Sequence, residues 1–463
     1  MAASRALRLA VLAIATLMGG AALASTPALV VDAETGRVLH AERATDPWFP
    51  ASITKLMTTY VALDMVRDSR ASMDQLLSVS EIAAALPPSK MAFKPGTQIR
   101  LDNALKIIMV KSANDVAATV AENLGGSVEG FAGMMNDAAK KLGMQESHFV
   151  NPHGLPDDRQ RTSARDMAIL ARALLTEFPQ HEDLFQIGAI QFGRRIMRNH
   201  NGLIGRYPGA DGMKTGFICA SGFNVVASAK RDGRRLITVV LGSPSANERT
   251  MKAAELFDRG FVSPPNFANP TLEALPASAT QEPPNMRPLI CDRRGPMPGE
   301  DDGPEAVTAE AEADIKIPNL FSGNVLAYAG GAPNPVRRTT LGPRAPVEPV
   351  RVWVGLNPPT AAELAEEAAQ EKAAQKARAA SNKKSASKPA AKKASGKSKL
   401  PIPDGVIEED KDGRTSLTIK PVTGEGTKPA SKAKAPAKTK AAPKKPAASA
   451  KADAAAQPAA KAN

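Results

Sequence analysis

Ser52-Ile53-Thr54-Lys55 is the stretch on which the interpretation of this chain depends. Pro50 precedes it and apolar residues recur at helical spacing after it, which predicts a helix that begins near Ser52. Residues three positions apart share a helix face, so the Lys55 amine is expected within hydrogen-bond reach of the Ser52 hydroxyl. A serine becomes nucleophilic when a neighbouring base takes its proton, and a neutral lysine can be that base.

Two later motifs offer the other groups that acyl transfer at a serine requires. Ser112-Ala113-Asn114 offers a hydroxyl that can relay a proton to a leaving amine and an amide that can hold a substrate carbonyl. Lys214-Thr215-Gly216 offers a second cation, which favours a neutral Lys55 amine, and a glycine where substrate backbone can lie against a strand edge. The N–H groups of Ser52 and Phe217 are expected to form the oxyanion site. Each motif alone is common, but the three in this order predict an acyl-transfer enzyme.

Strand patterns lie at both ends of the region that carries these motifs. Residues 28–32 and 37–42 predict one β-hairpin, and residues 221–230 and 235–242 predict another. Helices are predicted at residues 103–110, 115–123, 128–142, 162–178 and 251–261. The pattern predicts an α+β fold in which an antiparallel sheet is flanked by helices and carries an all-helical insert.

The residues around the three motifs resemble a known family. The segments that carry the resemblance are residues 50–58, 93–96, 111–115, 151–155 and 211–216. They resemble the low-molecular-weight penicillin-binding proteins, the D-alanyl-D-alanine carboxypeptidase family of serine peptidases. The resemblance covers about residues 26–261 and implies the fold shared by β-lactamases and DD-peptidases.

The resemblance implies a reaction at Ser52. The penultimate D-alanine of a peptidoglycan stem peptide acylates Ser52, the terminal D-alanine leaves, and water hydrolyses the acyl-enzyme. Penicillins and other β-lactam antibiotics acylate the same serine and act as covalent inhibitors. Lys55 is the implied base, and no cofactor is expected. His153 belongs to a recurring family motif and is expected to be structural rather than catalytic.

The resemblance also implies which residues bind the substrate. Ser112 and Asn114 flank the cleft, with Ser112 grouped with Ser52 and Lys55 as catalytic. Lys214 and Thr215 engage the terminal carboxylate. Arg249 follows the last predicted strand, where the family has a carboxylate-binding arginine, although a surface charge at a helix start is the alternative.

Two differences from the motifs of class A β-lactamases bear on which activity is expected. The middle motif is Ser-Ala-Asn rather than Ser-Asp-Asn, which favours peptidases over class A β-lactamases. No glutamate motif like the deacylating loop of those β-lactamases is evident at residues 142–165, so slow hydrolysis of penicillin is expected. A DD-endopeptidase that cuts cross-links and a β-lactamase of the same fold remain alternatives.

Composition divides the chain into four parts. Residues 1–24 have a positive start, an apolar core and an Ala22-Leu23-Ala24 cleavage site, which predicts a secretory signal peptide. Residues 25–263 form the predicted catalytic domain, and the Pro-rich residues 264–360 are predicted to be extended, with a strand near residues 350–354 in a small appended unit. Residues 361–463 are rich in Lys, Ala and Pro and are predicted to be mostly disordered. The predicted location is the periplasm or the cell-wall space, with a peripheral position at the membrane as an alternative.

The net charge of +13 is concentrated in the tail. Residues 361–463 contain 22 Lys or Arg and 11 Asp or Glu, so the rest of the chain is close to neutral. Nucleic acid is not an expected partner, because the chain is predicted to be exported and the tail lacks the aromatic residues that stack on bases. Anionic envelope polymers or lipid head groups are the expected partners of a binding tail. A solvated tether without specific affinity is the alternative.

Cys219 and Cys291 are the two cysteines of the chain. An oxidising compartment permits a disulfide between them, and the alternative is a buried thiol at Cys219 with a free thiol at Cys291. Neither cysteine has the neighbours of a zinc site, and the five histidines form no H-x-x-x-H pair, so no metal is expected.

Overall fold

The fold is described from a computed structural model. It describes residues 26–263, 267–293, 298–299, 341–366 and 369, together with three short strand segments at 307–308, 407–409 and 415–417. The predicted signal peptide and most of the predicted tail lie outside these residues. The chain divides into two units, residues 1–386 and 387–463. In the second unit, the described residues form one antiparallel strand pair.

The elements are numbered in chain order. The described strands are β1 (Ala28–Asp32), β2 (Val38–Glu42), β3 (Leu76–Ser78), β4 (Gln98–Arg100), β5 (Ala189–Phe192), β6 (Arg195–Arg198), β7 (Ala210–Ile218), β8 (Gly222–Arg231), β9 (Arg234–Ser243), β10 (Val307–Thr308), β11 (Val350–Arg351), β12 (Ile407–Glu409) and β13 (Thr415–Leu417). The described helices are α1 (Lys55–Arg67), α2 (Glu81–Ala85), α3 (Leu101–Val110), α4 (Asn114–Gly125), α5 (Val128–Leu142), α6 (Ala164–Glu177), α7 (Asp183–Gln186), α8 (Ala246–Val262) and α9 (Arg287–Ile290). Residues 361–366 are also helical.

The main sheet has the strand order β2-β1-β9-β8-β7, and every neighbouring pair is antiparallel. Successive side chains of a strand point to opposite faces. Leu29 and Val31 therefore lie in the larger core with the inserted helices, whereas Ala28 and Val30 lie in a second core with α8. The predicted antiparallel sheet, built from both ends of the region and covered by helices, is confirmed.

The predicted helical insert is confirmed by α3, α4 and α5. Their ends follow local chemistry: the Ser127 side chain caps α5 by accepting a hydrogen bond from Gly130 N, and Gly126 and Gly143 end α4 and α5 in the left-handed conformation. Between α3 and α4 the chain makes a sharp turn at Lys111–Ala113. This turn places Ser112 at the junction of two buried helices.

A second sheet was not predicted. Its strand order is β10-β6-β5-β11, and β11 pairs in parallel with β5, Val350 opposite Ile190 and Arg351 opposite Gln191. The strand predicted at residues 350–354 is thus shorter than expected and joins the β5–β6 hairpin rather than a separate appended unit. The physical reason is that the edge of this hairpin offers unpaired backbone groups, which an extended segment with alternating valines can cover. Val352 is buried by this docking.

Cys219 and Cys291 form a disulfide, which is the first of the two alternatives. Cys219 follows β7 and Cys291 follows α9, so the bridge joins the Pro-rich segment to the turn between β7 and β8. Met286 N also donates a hydrogen bond to Ala220 O at 2.9 Å. The segment is therefore attached beside the strand that carries Lys214-Thr215-Gly216.

Candidate active site

Ser52 lies in a short 3₁₀ turn, Ala51–Thr54, and Lys55 is the first residue of α1. The sequence predicted Ser52 in the first turn of an α-helix, so the observed turn is tighter than predicted. Side chains three positions apart are eclipsed in a 3₁₀ turn, and the structure places Lys55 Nζ 3.1 Å from Ser52 Oγ. Ala51, immediately before Ser52, has a φ of 49°, a strained value that a non-glycine residue rarely adopts.

The Lys55 side chain is completely buried, and Ser52 Oγ is among the oxygen atoms that contact its amine. Besides Ser52 Oγ, it lies 2.8 Å from Asn114 Oδ1 and 2.6 Å from the carbonyl oxygen of His153. A neutral amine has two N–H donors and one lone pair. Two of these contacts can thus be satisfied by the N–H groups, which leaves the lone pair for Ser52.

The loop of residues 151–155 packs against the Ser52 turn. His153 contributes its carbonyl to Lys55, while its ring Nδ1 accepts a hydrogen bond from Leu155 N at 3.2 Å. Burial lowers the pKa of His153 to about 3, with a smaller contribution from Lys55 when its amine is protonated, so the ring is neutral at physiological pH. Gly154 has a φ of 84°, and a Cβ there would overlap the carbonyl oxygen of Ala51. Only glycine fits this approach.

Gln160 fixes the same loop and was not singled out from the sequence. Its side-chain oxygen accepts hydrogen bonds from Val150 N at 3.1 Å and Asn151 N at 3.0 Å. Its nitrogen donates to Thr54 Oγ1 at 3.2 Å, which connects the loop to the Ser52 turn. Nothing local distinguishes this glutamine from a surface residue, because Thr54, which its side chain connects to the loop, is 106 positions away in the sequence.

Ser112 lies in the turn between α3 and α4, and Asn114 is the first residue of α4. Ser112 has a φ of 60°, and its buried Oγ has no hydrogen-bond partner among the residues that the structure describes. Asn114 uses its amide oxygen for Lys55, and its Nδ2 donates to Pro87 O at 3.0 Å. A strained backbone and an unsatisfied buried hydroxyl are both costly, and such features cluster at functional sites.

Asp115 supports this turn although the sequence suggested no role for it. Its buried carboxylate accepts hydrogen bonds from Met91 N at 3.1 Å, Ala92 N at 2.8 Å and Val116 N at 2.9 Å. These bonds hold the loop that precedes β4 against the start of α4. Asp115 directly follows Asn114, so the contacts also restrain the asparagine that touches Lys55.

Strand β7 brings Lys214-Thr215-Gly216 against the Ser52 turn. A Cβ on Gly216 would lie 2.7 Å from Ser52 N and 2.8 Å from Ile53 N, so a larger residue has no room there. Thr215 Oγ1 is buried and has no hydrogen-bond partner within the described part of the chain. Lys214 Nζ donates to Thr215 O at 2.9 Å and is also buried. Phe217 continues the strand next to Gly216.

Asn224 ties β8 to the residues before Ser52. Its Nδ2 donates to Phe49 O at 2.9 Å and Pro50 O at 3.1 Å, and its Oδ1 accepts from Gly242 N at 2.9 Å. The sequence signal for this role is a polar residue within a buried, β-branched strand. Such a residue must find partners for its amide when it is buried.

Arg249 lies in the first turn of α8 and is only 1% exposed, so it is not a surface charge. Its Nη2 donates to His200 O at 3.2 Å, and its guanidinium carbon lies 5.9 Å from the centre of the Phe223 ring. Phe223 is opposite Phe217 in the β7–β8 ladder, and their rings stack at 4.2 Å. Arg249 is therefore buried beside the end of β7.

The arrangement combines a serine and a lysine in contact, two unsatisfied buried hydroxyls and two buried cations. Within the described ranges, no group of three His, Cys, Asp or Glu side chains could hold a metal ion. Across the same ranges, no helix is both long and apolar enough to cross a membrane.

Comparisons with known proteins identify relatives of this chain. The family model for D-alanyl-D-alanine carboxypeptidase, peptidase S11, matches residues 15–245. D-alanyl-D-alanine carboxypeptidase DacF of Bacillus subtilis (strain 168) is 34% identical over 240 residues, which are 50% of this chain and 61% of DacF. D-alanyl-D-alanine carboxypeptidase DacB2 of Mycobacterium tuberculosis is 30% identical over 250 residues, which are 51% of this chain and 82% of DacB2.

The fold has a solved counterpart. The crystal structure of the D-alanyl-D-alanine carboxypeptidase DacD from Francisella tularensis matches with a TM-score of 0.50 at 29% identity, over 52% of this chain and 71% of that one. The chain spans less than two thirds of the length of DacF, at 61%. The resemblance stated from the motifs is confirmed: the chain belongs to the D-alanyl-D-alanine carboxypeptidase family of serine peptidases, peptidase S11.

Proposed function

We propose that the protein is a serine-type D-Ala-D-Ala carboxypeptidase that removes the terminal D-alanine of peptidoglycan stem peptides. The observation that carries this proposal is the contact of Lys55 Nζ with Ser52 Oγ at 3.1 Å, inside a site where Asn114 and His153 O hold the amine. Membership of the D-alanyl-D-alanine carboxypeptidase family supports the substrate class.

Acylation follows from the contacts of Lys55. The neutral amine donates to Asn114 Oδ1 and His153 O, and its lone pair takes the proton of the Ser52 hydroxyl. Ser52 Oγ then attacks the carbonyl carbon of the penultimate D-alanine, while the N–H groups of Ser52 and Phe217 stabilise the oxyanion. As the C–N bond breaks, the proton that Lys55 took from Ser52 is relayed through Ser112 Oγ to the leaving amine of the terminal D-alanine, so that Lys55 is neutral again. Water attacks the resulting ester, which releases the shortened peptide and restores Ser52.

The cationic side of the site is proposed to bind the terminal carboxylate of the substrate. Thr215 Oγ1 is a buried hydroxyl that a carboxylate oxygen can satisfy. Lys214 and Arg249 provide positive charge in a buried setting, where an ion pair is stronger than in water. Gly216 lets β7 approach the Ser52 turn closely, and the substrate backbone is proposed to lie along β7, the edge strand of the main sheet. The second N–H of Asn114 Nδ2 is proposed to donate to a substrate carbonyl.

Penicillins are proposed to acylate Ser52 and to leave slowly. In the loop at residues 142–165, the carboxylate of Glu146 is bound by the buried guanidinium of Arg165. The side chain of Glu146 is thus engaged in a structural contact with Arg165 rather than free to activate a water molecule. The contact supports a peptidase over a β-lactamase.

Export and retention complete the proposal. Residues 1–24 have the composition of a signal peptide, which supports export to the periplasm or the cell-wall space. The basic residues of 361–463 are proposed to bind anionic envelope polymers or lipid head groups. Roles in cell-wall remodelling and cell shape would follow from the activity.

The products formed from a mixture of muropeptides test the proposed activity. Mass analysis is expected to show loss of one D-alanine from pentapeptide stems with the wild-type protein and no change with Ser52→Ala. Monomers released from cross-linked dimers would instead reveal an endopeptidase. Rapid turnover of penicillin without loss of D-alanine would reveal a β-lactamase and contradict the proposal.

A further inference from the structure

A segment beyond the family match reaches the candidate active site through Arg344. The family model ends at residue 245, and Arg344 belongs to the described segment 341–366. Its guanidinium is half-buried and makes a two-pronged contact: Nη1 donates to Asn199 O and Nη2 donates to Asn201 O, both at 3.0 Å. The planar fork of arginine suits two carbonyl groups that point the same way, which a lysine cannot match.

The backbone of residues 199–201, which Arg344 binds, also accepts a hydrogen bond from Arg249. The carbonyl between the two that Arg344 binds is that of His200, and it accepts the hydrogen bond from Arg249 Nη2 at 3.2 Å. The Asn201 side chain donates through Nδ2 to Gly212 O at 2.8 Å, on β7, two residues before Lys214. The turn at residues 199–201 therefore contacts Arg249 directly and also contacts β7, the strand that carries Lys214.

The segment around Arg344 is anchored on both sides. Ala345 N donates to Gly205 O at 2.8 Å, and Arg206 Nε donates to Gly342 O at 2.9 Å. Farther along, Val347 packs so closely on Gly188 that a Cβ there would lie 2.6 Å from Val347 Cγ1. These contacts restrain the backbone on both sides of Arg344. The Arg344 guanidinium is therefore positioned before any substrate binds.

We propose that Arg344 is a positioning residue for carboxylate recognition. It holds the turn at residues 199–201, and this turn sets the position of Arg249 and of the start of β7. The proposal rests on the proposed function, in which Arg249 binds the carboxylate of the substrate or of a penicillin. It assigns to the segment that carries Arg344 an indirect part in substrate selection, through Arg249 and β7.

The test compares two probes that differ only at the carboxylate. Benzylpenicillin and its methyl ester acylate the same serine, and intact mass spectrometry gives the rate of acylation by each. Arg344→Ala is expected to slow acylation by benzylpenicillin about 2- to 30-fold, the range of couplings transmitted through a packed network, and to leave the methyl ester rate unchanged. Arg344→Lys is expected to recover part of the loss. Arg351→Ala, an exposed arginine on the same segment, should match the wild type with both probes.

A double-variant comparison identifies the route of the effect. If Arg344 acts through Arg249, the Arg344→Ala change should add nothing in an Arg249→Ala background, because coupled residues are not additive. Three results would each overturn the inference. The acylation rate could fall equally with both probes, it could stay unchanged with benzylpenicillin, or the losses of rate could add in the double variant. Absence of a Ser52 adduct in the wild type would instead contradict the proposed function itself, so the two failures are distinguishable.

Discussion

The amide oxygen of Asn114 lies 2.8 Å from Lys55 Nζ, although the two residues are 59 positions apart in the sequence. This contact joins the first motif to the second. A carboxamide oxygen accepts a hydrogen bond without carrying a net charge, so it holds the amine while favouring the ammonium form less than a carboxylate would. The identity of residue 114 therefore bears on whether Lys55 can act as a base.

Asn114→Asp tests this consequence. The substitution keeps the shape of the side chain but places a carboxylate beside Lys55, which favours the charged ammonium. We expect acylation by benzylpenicillin at pH 7 to fall on the order of 100-fold, the usual size of a general-base contribution, with recovery as the pH is raised. Stopped-flow or quenched mass measurements of the acylation rate against pH check this. An unchanged rate and pH profile would contradict the proposed role of Asn114.

Gly154→Ala tests the packing of the 151–155 loop on the Ser52 turn. An added Cβ would overlap Ala51 O, and it would also force a non-glycine residue to keep a φ of 84°. Gly96→Ala is a matched control, because Gly96 has a φ of 81° but no atom within 4 Å of the added Cβ. We expect Gly96→Ala to cost about 1 kcal/mol of stability and Gly154→Ala to cost more and to abolish acylation. Thermal melts and penicillin labelling measure both effects, and equal behaviour of the two variants would contradict the predicted clash.

Glu146→Gln tests a predicted pH dependence of stability. Burial, followed by the neighbouring Asp166 carboxylate, raises the pKa of Glu146 from 4.5 to about 7. Because the folded protein holds this proton more tightly than the unfolded chain, the associated stability is present at low pH and is lost as the pH rises from about 4.5 to about 7.

We expect the melting temperature of the wild type to fall by about 2–4 °C between pH 5 and pH 8 through this group, and the fall to be smaller in Glu146→Gln. Burial also raises the pKa of Asp166, so some slope remains in the variant. Glu129→Gln, at an exposed position, serves as the control and should keep the wild-type slope. An identical slope in all three proteins would show that Glu146 does not titrate in this range.

Removal of residues 387–463 tests the role of the basic tail. The deletion keeps the other unit, residues 1–386, whole. We expect unchanged activity on a soluble stem-peptide mimic and weaker binding to isolated cell wall or anionic vesicles. The difference in binding between the full chain and the deletion variant should be larger at low salt, where charges are screened less. A chain of the same length with the tail lysines replaced by glutamine separates charge from length. Undiminished binding by both variants would favour a solvated tether.

The sequence predicted the parts of the site that depend on local geometry or on recurring motifs. Ser52 and Lys55 are three positions apart, so any helical turn brings them together. The two β-hairpins at the ends of the catalytic region follow from alternating residues around short turns, and the main sheet contains both.

The supporting contacts were not predictable because they join segments distant in sequence. Asn224 reaches Phe49 across 175 positions, and Gln160 reaches Thr54 across 106. The pairing of β11 with β5 was not predicted for a similar reason. A run of alternating valines indicates a strand, but it does not indicate which sheet edge that strand will pair with. Arg344 lies in a Pro-rich stretch whose composition indicates only an extended chain.

The acyl-enzyme at Ser52 is the most direct test of the central claim. The full chain is incubated with benzylpenicillin and digested, and the peptide that contains Ser52 is analysed by mass spectrometry. We expect a stoichiometric penicilloyl adduct on Ser52 in the wild type, none in Ser52→Ala, and a rate about 1,000-fold lower in Lys55→Arg, because a guanidinium cannot serve as the base. An adduct on another residue, or labelling that persists in Ser52→Ala, would contradict the account.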